Sequence, residues 1–343
     1  MTARTFGWGI VGTGMIATRF AEDLRFAEGA AAAAVCSRRH DTAEAFAKAH
    51  EVGTAHDDLD AFLADETIDA VYIASPNQAH LDQTLAAIAA GKPVLIEKPV
   101  AMTAAEARQM AEAAREAGVF IMEALWTRFL PAVQRAREIF NSGAIGEPVR
   151  ASATLGFTRE FDPKHRLYDP ALGGGVLLDL GVYPLSTISM LLGPAKLVSG
   201  TWQPAPTGVD ASAQLALDCG GVPVEVVASF GGELENTVVI HGTKGVLRID
   251  RHFLRTQSVT VWDRPLAEIP PSASLAGRIR KRIPAPGRRT ERFDYQGSGL
   301  QFEAMAAQEA ILAGETGCET MPMEDSAATL AIIEQVLANP PEG

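Results

Sequence analysis

The first third of the chain alternates short, unbroken apolar runs with segments whose apolar positions recur every three or four residues. Residues 6–11 are the first such run and read as a buried strand, and residues 15–26 have helical spacing. Further strands are predicted over residues 30–36, 70–74, 93–97 and 120–123. Helices are predicted between them over residues 41–50, 78–90 and 103–117, with Asp41-x-x-Glu44 and Thr103-x-x-Glu106 in the form of capping boxes. Strands alternating with helices at this spacing call for a parallel sheet covered on both faces. Ligands of such sheets bind beyond the carboxyl ends of the strands. The informative segments are therefore the strand exits, Gly12 to Gly14, Ser37 to Arg39, Ser75 to Asn77, and Lys98-Pro99.

After Glu123 the pattern changes. A helix is predicted over residues 130–141, followed by strand-like runs at 149–155, 197–203, 211–217, 222–230, 237–241, 246–249 and 259–262. Consecutive strands joined by Gly and Pro turns predict an antiparallel or mixed sheet. Residues 270–292 are rich in Pro, Gly and Arg and predict a solvated loop carrying the basic run Arg278-Ile279-Arg280-Lys281-Arg282. Two helices, over residues 299–313 and 323–338, finish the chain. The expected organisation is an α/β domain over residues 1–124 and an α+β domain over 125–343 with an open, mostly antiparallel sheet. A second apolar face on that sheet would suit a homodimer or homotetramer.

The first strand runs into Gly12-x-Gly14-x-x-Ala17. Strand, tight turn and helix in that order are what a dinucleotide needs. Gly12 permits the turn, Gly14 lets a pyrophosphate approach bare backbone, and the small Ala17 lets the helix pack on the strand. The amides of Met15 and Ile16 open the helix and face the phosphates. The first domain thus reads as a Rossmann domain. An NAD enzyme usually places an acid about 20 residues further on, at the ribose 2′-hydroxyl. Here the second strand ends Cys36-Ser37-Arg38-Arg39-His40, and Asp41 is expected to cap a helix. A hydroxyl and guanidinium groups would bind a 2′-phosphate, so Ser37, Arg38 and Arg39 favour NADP, with NAD possible.

Composition narrows the function further. With 343 residues the chain exceeds one ordinary core, and 47% hydrophobic against 21% charged residues marks it as globular. A net charge of −12 argues against a nucleic-acid surface. Cys36, Cys219 and Cys318 are scattered, and the seven histidines do not pair with them at metal spacing, so no disulfide framework and no metal are expected. Neither a leader-like start nor an uninterrupted apolar run long enough for a bilayer is apparent, and the expectation is a cytoplasmic protein without a membrane partner.

The densest stretch of the second domain is residues 166–184. If a helix begins near Val176, Asp179 and Tyr183 are four apart and share a face, placing a carboxylate beside a phenol. The preceding Gly173-Gly174-Gly175 would admit a close approach of backbone to a ligand, and Pro184 is expected to kink the helix beside Tyr183.

Five landmarks in order resemble the Gfo/Idh/MocA oxidoreductases: Gly12-x-Gly14-x-x-Ala17, Ser75-Pro76-Asn77-Gln78-Ala79-His80, Glu97-Lys98-Pro99, Glu123-Ala124-Leu125-Trp126-Thr127-Arg128-Phe129, and Gly173-Gly174-Gly175 through Tyr183. The likeness spans nearly the whole chain and is weakest over residues 270–292. The inositol-dehydrogenase branch carries His where this chain has Tyr183, so the resemblance points to the branch of dihydrodiol and D-xylose dehydrogenases. It implies hydride transfer between a nicotinamide and a CH–OH or carbonyl group of a sugar, polyol or cyclic diol. Tyr183 would be the acid/base, Lys98 would assist beside the nicotinamide and favour the phenolate, and Asp179 would orient or balance Lys98. Trp126 and Arg128 would lie on the substrate side. Ser75, Pro76, Asn77, His80, Glu97, Trp126 and Arg166 would lie about the cofactor. The resemblance leaves open a sugar-to-sugar hydride shuttle with tightly bound cofactor, and a non-catalytic NADP-binding sugar sensor.

Overall fold

The computed structural model describes residues 4–264 and 287–339. In the first domain β1 (Phe6–Val11), β2 (Ala30–Cys36), β3 (Thr54–His56), β4 (Ala70–Ile73), β5 (Val94–Glu97) and β6 (Ile121–Ala124) form a parallel sheet in the order β3-β2-β1-β4-β5-β6. Every residue of β1, β4, β5 and β6 is buried, as strands covered on both faces require, Glu97 of β5 and Glu123 of β6 included. Helices α1 (Met15–Asp23), α2 (His40–His50), α3 (Leu59–Leu63), α4 (His80–Ala89) and α5 (Ala104–Ala117) provide the crossovers. The strand order reverses between β1 and β4, and a cleft for ligands opens at such a point.

In the second domain α6 (Pro131–Asn141) leads to a sheet built from β7 (Pro148–Gly156), β8 (Lys196–Pro204), β9 (Asp210–Cys219), β10 (Val222–Ser229), β11 (Val238–Gly242), β12 (Val246–Ile249), β13 (Ser258–Trp262) and β14 (Arg288–Arg292). Among the described residues its order is β14-β13-β12-β11-β7-β10-β9-β8, antiparallel except for the β7–β10 pair. Helix α7 (Val182–Leu192) packs on the central strands, and α8 (Leu300–Leu312) and α9 (Met323–Leu337) return toward the first domain. The Asp23 carboxylate at the end of α1 accepts the amides of Ser298, Gly299 and Leu300 at 2.8–3.0 Å and so caps α8 from across the domains. Glu334 of α9 accepts the Ala104 amide at 2.7 Å.

Three expectations change. Asp41 does not cap α2; it lies within the helix and pairs with Arg39, whose backbone occupies the cap. Residues 288–292, read as loop, form the charged edge strand β14, while the basic run Arg278 to Arg282 lies outside the described residues. Instead of a simple kink at Pro184, Leu177–Gly181 forms a π-helical turn leading into α7. Pro184 has no N–H to return to the preceding turn. The segment Pro170–Leu192 is apolar enough to cross a bilayer, yet 78% of its most apolar window is buried inside this fold.

Between the Rossmann strands and α8 lies a buried cluster of acids. Glu303 on α8 is 0% exposed, and among the described residues neither of its carboxyl oxygens has a partner. Burial, followed by the proximity of Glu97, Glu123 and Asp23, raises its pKa well above the usual carboxyl range. Above the unfolded carboxyl value the folded chain therefore keeps a proton that the unfolded chain releases, and this site costs stability as pH rises. Glu303→Gln is expected to gain on the parent by up to about 1.4 kcal/mol per pH unit above roughly pH 4.5. Melting curves of both proteins between pH 5 and 8 check this; a gap that stays constant or narrows with pH contradicts it.

Candidate active site

Gly12 has φ +107°, and a Cβ there would stand 2.7 Å from the Ala74 carbonyl at the exit of β4. Only glycine lets β1 turn this close to its neighbour. The Gly12 amide also donates to the Cys36 carbonyl at 2.9 Å, tying the turn to the exit of β2. Among the described residues a Cβ on Gly14 would meet nothing within 4 Å and no side chain caps α1, and Met15 is 71% exposed. The amides of the first turn, Ile16 included, are left for a ligand. An open cradle over Gly14 fits the pyrophosphate of a dinucleotide.

The β5 exit turns at Lys98, whose ammonium reaches across to the second domain. Its Nζ donates to the Asp179 carbonyl at 2.7 Å and to Asp179 Oδ1 at 3.1 Å. It also stands 5.0 Å from the centroid of the Tyr183 ring. The π-helical turn presents Asp179 and the start of α7 presents Tyr183 to the same point. That turn is anchored by Asp210, whose Oδ2 accepts the Leu177 amide at 2.7 Å, and by Gly175, whose φ of +123° brings backbone against the same carboxyl group. From the turn that follows β6, Trp126 Nε1 donates to Tyr183 Oη at 3.1 Å.

These contacts set the charges. Burial disfavours the Lys98 ammonium, yet Asp179 and Tyr183 beside it hold its pKa above the ordinary lysine value. Burial alone would raise Asp179, but Lys98 and Arg166 hold it below the usual carboxylate range. The pair is therefore ionised. For Tyr183 burial prevails over Lys98 and the phenol is pushed up to about 12. Lys98 does favour the phenolate, as expected, but burial outweighs it, and the group beside the ammonium is a neutral phenol, a proton donor.

Other expected residues fall into distinct places. Arg128 does not face a substrate: it is 1% exposed, donates to Ser186 and to the Thr320 carbonyl, and pairs with Asp325 at 2.8 Å. Its fixed guanidinium ties Trp126 and its neighbours to α7 and α9. His80 is buried with Nδ1 2.9 Å from the Pro99 carbonyl and Nε2 3.0 Å from the Ser75 carbonyl; burial lowers its pKa, so the neutral ring donates its single N–H to one of these two strand exits and faces backbone rather than a cofactor. The Ser75 hydroxyl donates to Gln83 at 2.6 Å. Glu97 turns inward, accepting the Tyr72 hydroxyl and the Lys98 amide, and burial raises its carboxyl to about 7. Arg166, 58% exposed, lies 3.4 Å from Asp179 Oδ1. Pro76 is exposed at the β4 exit, and Asn77 Nδ2 donates to the Leu172 carbonyl at 3.5 Å, beside Gly173. Arg39 is paired with Asp41 at 3.1 Å, and Arg38 is exposed. Sequence reading passed over Asp210, an isolated acid in a strand pattern whose partner is 33 residues away.

A Gly-turn Rossmann sheet joined to an open mixed sheet, with a lysine and a tyrosine meeting at the seam, defines an oxidoreductase scaffold. The chain belongs to the GFO/IDH/MocA family: residues 6–125 match its oxidoreductase domain with an NAD-binding Rossmann fold, and residues 133–248 match its C-terminal domain. The trans-1,2-dihydrobenzene-1,2-diol dehydrogenase of Bos taurus is 33% identical over 338 residues, covering 96% of this chain and 95% of its own length. The Mus musculus enzyme of the same name is 33% identical over 336 residues, with the same coverage. Among solved structures, an NAD binding oxidoreductase from Klebsiella pneumoniae superposes with TM-score 0.81 at 26% identity, covering 98% of this chain and 97% of the other. The aldose-aldose oxidoreductase of Caulobacter crescentus shares the fold with TM-score 0.84 at 24% identity, covering 98% and 97%.

Proposed function

We propose that this chain is an NADP-preferring oxidoreductase acting on a CH–OH group, or the corresponding carbonyl, of a sugar or cyclic diol. The observation that carries the reading is the convergence of an ionised Lys98 from the β5 exit and the Tyr183 phenol from α7, 5.0 Å from nitrogen to ring centroid. The dihydrodiol dehydrogenases that match over 96% of the chain support the substrate class. A nicotinamide held on the Gly12 turn would supply the hydride chemistry. The residues of this chain handle the proton. Tyr183 gives its proton to a carbonyl oxygen during reduction and takes it back from the hydroxyl during oxidation. Lys98, fixed by two bonds to Asp179, stabilises charge on that oxygen. The Trp126 N–H supports the phenolate when Tyr183 has lost its proton. A sensor needs no such donor pair. Absorbance at the reduced-nicotinamide band with NADP and a panel of aldoses and cyclic diols tests the reading; no turnover on any of them, with ligand binding unchanged in Tyr183→Phe, favours the sensor.

The cofactor preference rests on Arg38 and Ser37 at the exit of β2, since Arg39 shares its charge with Asp41. Arg38→Asp is expected to weaken NADP by roughly 10- to 100-fold, the worth of a charge-assisted bond, with little change for NAD. Equilibrium titration of both nucleotides checks this, and equal losses for the two contradict it.

A further inference from the structure

Beside Trp126 lies a cleft of about 630 Å³. Its walls include Phe157 after β7, the loop residues Arg251, His252 and Arg255, and Arg292 and Asp294 at the end of β14. The cleft adjoins the Tyr183 site: the Arg255 guanidinium stands 6.0 Å from the Trp126 ring, the Leu254 carbonyl accepts the Thr127 hydroxyl at 3.2 Å, and the Trp126 indole bonds Tyr183. One indole therefore separates a cation from the phenol oxygen.

In a chain of net charge −12 this is an unusual concentration of positive groups. Arg251 is neutralised by Glu233 at 2.6 Å, and His252 lies 3.7 Å from the same carboxylate. Asp294 adds one carboxylate to the lining. Among the described residues Arg255 has a long bond, 3.4 Å, to the Gly297 carbonyl and the Tyr295 hydroxyl as a hydrogen-bonding neighbour, with no carboxylate paired to it, and Arg292 has no side-chain partner. Two guanidinium groups thus face one carboxylate across a hollow whose volume suits a small ligand. Guanidinium forks match carboxylate and phosphate oxygens. Phe157, with His252 stacked 6.1 Å away and the Arg159 guanidinium 5.7 Å from its ring centroid, contributes an aromatic surface to the lining.

We propose that this cleft binds the anionic group of the substrate, so that the sugar oxidised or reduced at Tyr183 carries a carboxylate or a phosphate. The proposal rests on the reading of Lys98 and Tyr183 as the reacting groups and adds the charge of the substrate to it. The reacting carbon sits at Tyr183, the ring lies along Trp126 and Phe157, and the anion faces Arg255 and Arg292.

Calorimetric binding of glucose, glucuronate and glucose 6-phosphate to the full chain with saturating NADP tests this, with turnover of each followed in parallel. The expected result is that at least one of the two anionic sugars binds about tenfold or more tightly than glucose at low salt, with the gap narrowing in 0.5 M NaCl. In Arg292→Ser and Arg255→Met that gap closes toward unity; the better of the two anions identifies carboxylate or phosphate as the recognised group. Equal affinities for all three sugars, or a preference that survives both substitutions, overturn the proposal. Preferential binding without turnover of any sugar upholds the cleft and ends the redox reading, whereas turnover of glucose with no anionic preference overturns the cleft alone.

Discussion

Tyr183→Phe is expected to lower kcat by roughly 10²- to 10⁴-fold in both directions, the usual worth of a positioned acid/base, while nucleotide affinity stays within a few-fold of the parent. The phenyl ring keeps the volume that α7 buries, and only the hydroxyl beside Trp126 is lost, so the fold should be retained. The pH profile adds a second signature. With the phenol pushed up to about 12, Tyr183 holds its proton through the neutral range. Reduction, which consumes that proton, should then be level from pH 6 to 9. Oxidation, which needs the phenolate, should rise with pH until bound ligands bring the phenol into range. Stopped-flow rates across this interval check both limbs. An oxidation rate independent of pH, or a Phe variant that turns over normally, removes Tyr183 from the chemistry.

The second large effect is at Lys98. Lys98→Met is expected to cost about 10²- to 10³-fold in kcat, as removal of one donor at a developing oxyanion does. It also strands Asp179, whose side chain is only 11% exposed and is left with Arg166 at 3.4 Å, so the melting temperature should fall. The double variant Lys98→Met with Asp179→Asn separates the two losses. Removing the stranded charge should restore much of the melting temperature and none of the rate. Recovery of activity together with stability would mean that Lys98 serves only as a structural partner of Asp179.

The parts of the molecule that were legible beforehand are those with a local signal. The apolar runs of β1 and β4, and those of β5 and β6 that Glu97 and Glu123 interrupt, announce strands buried on both faces, and the alternating runs between 149 and 262 announce the second sheet. The four-residue spacing of Asp179 and Tyr183 brings both to one point even through a π-helical turn. Elements with no apolar signal escaped. Thr54–His56 is a three-residue edge strand, and Arg288–Arg292 is almost wholly charged, as suits an exposed sheet edge. Long-range partnerships escaped as well. Arg128 reads as a binding residue because its partners Thr320 and Asp325 lie nearly 200 residues on. Glu303 sits in a helical pattern where a lone acid reads as solvent-facing, although α8 buries it against the Rossmann domain. The pKa of Tyr183 escaped for a related reason: a nearby lysine is visible in the motif, while the burial that outweighs it belongs to the tertiary structure.

The central claim is that Lys98 and Tyr183 act on the oxygen of a carbon that exchanges hydride with a nicotinamide. Turnover of a substrate deuterated at that carbon, with NADP and with reduced-nicotinamide absorbance as the readout, tests it most directly. The account predicts a primary isotope effect on the single-turnover rate, deuterium recovered on the nicotinamide, and loss of this label transfer in Tyr183→Phe and Lys98→Met. Deuterium released to solvent, or label transfer undiminished in both variants, would contradict it.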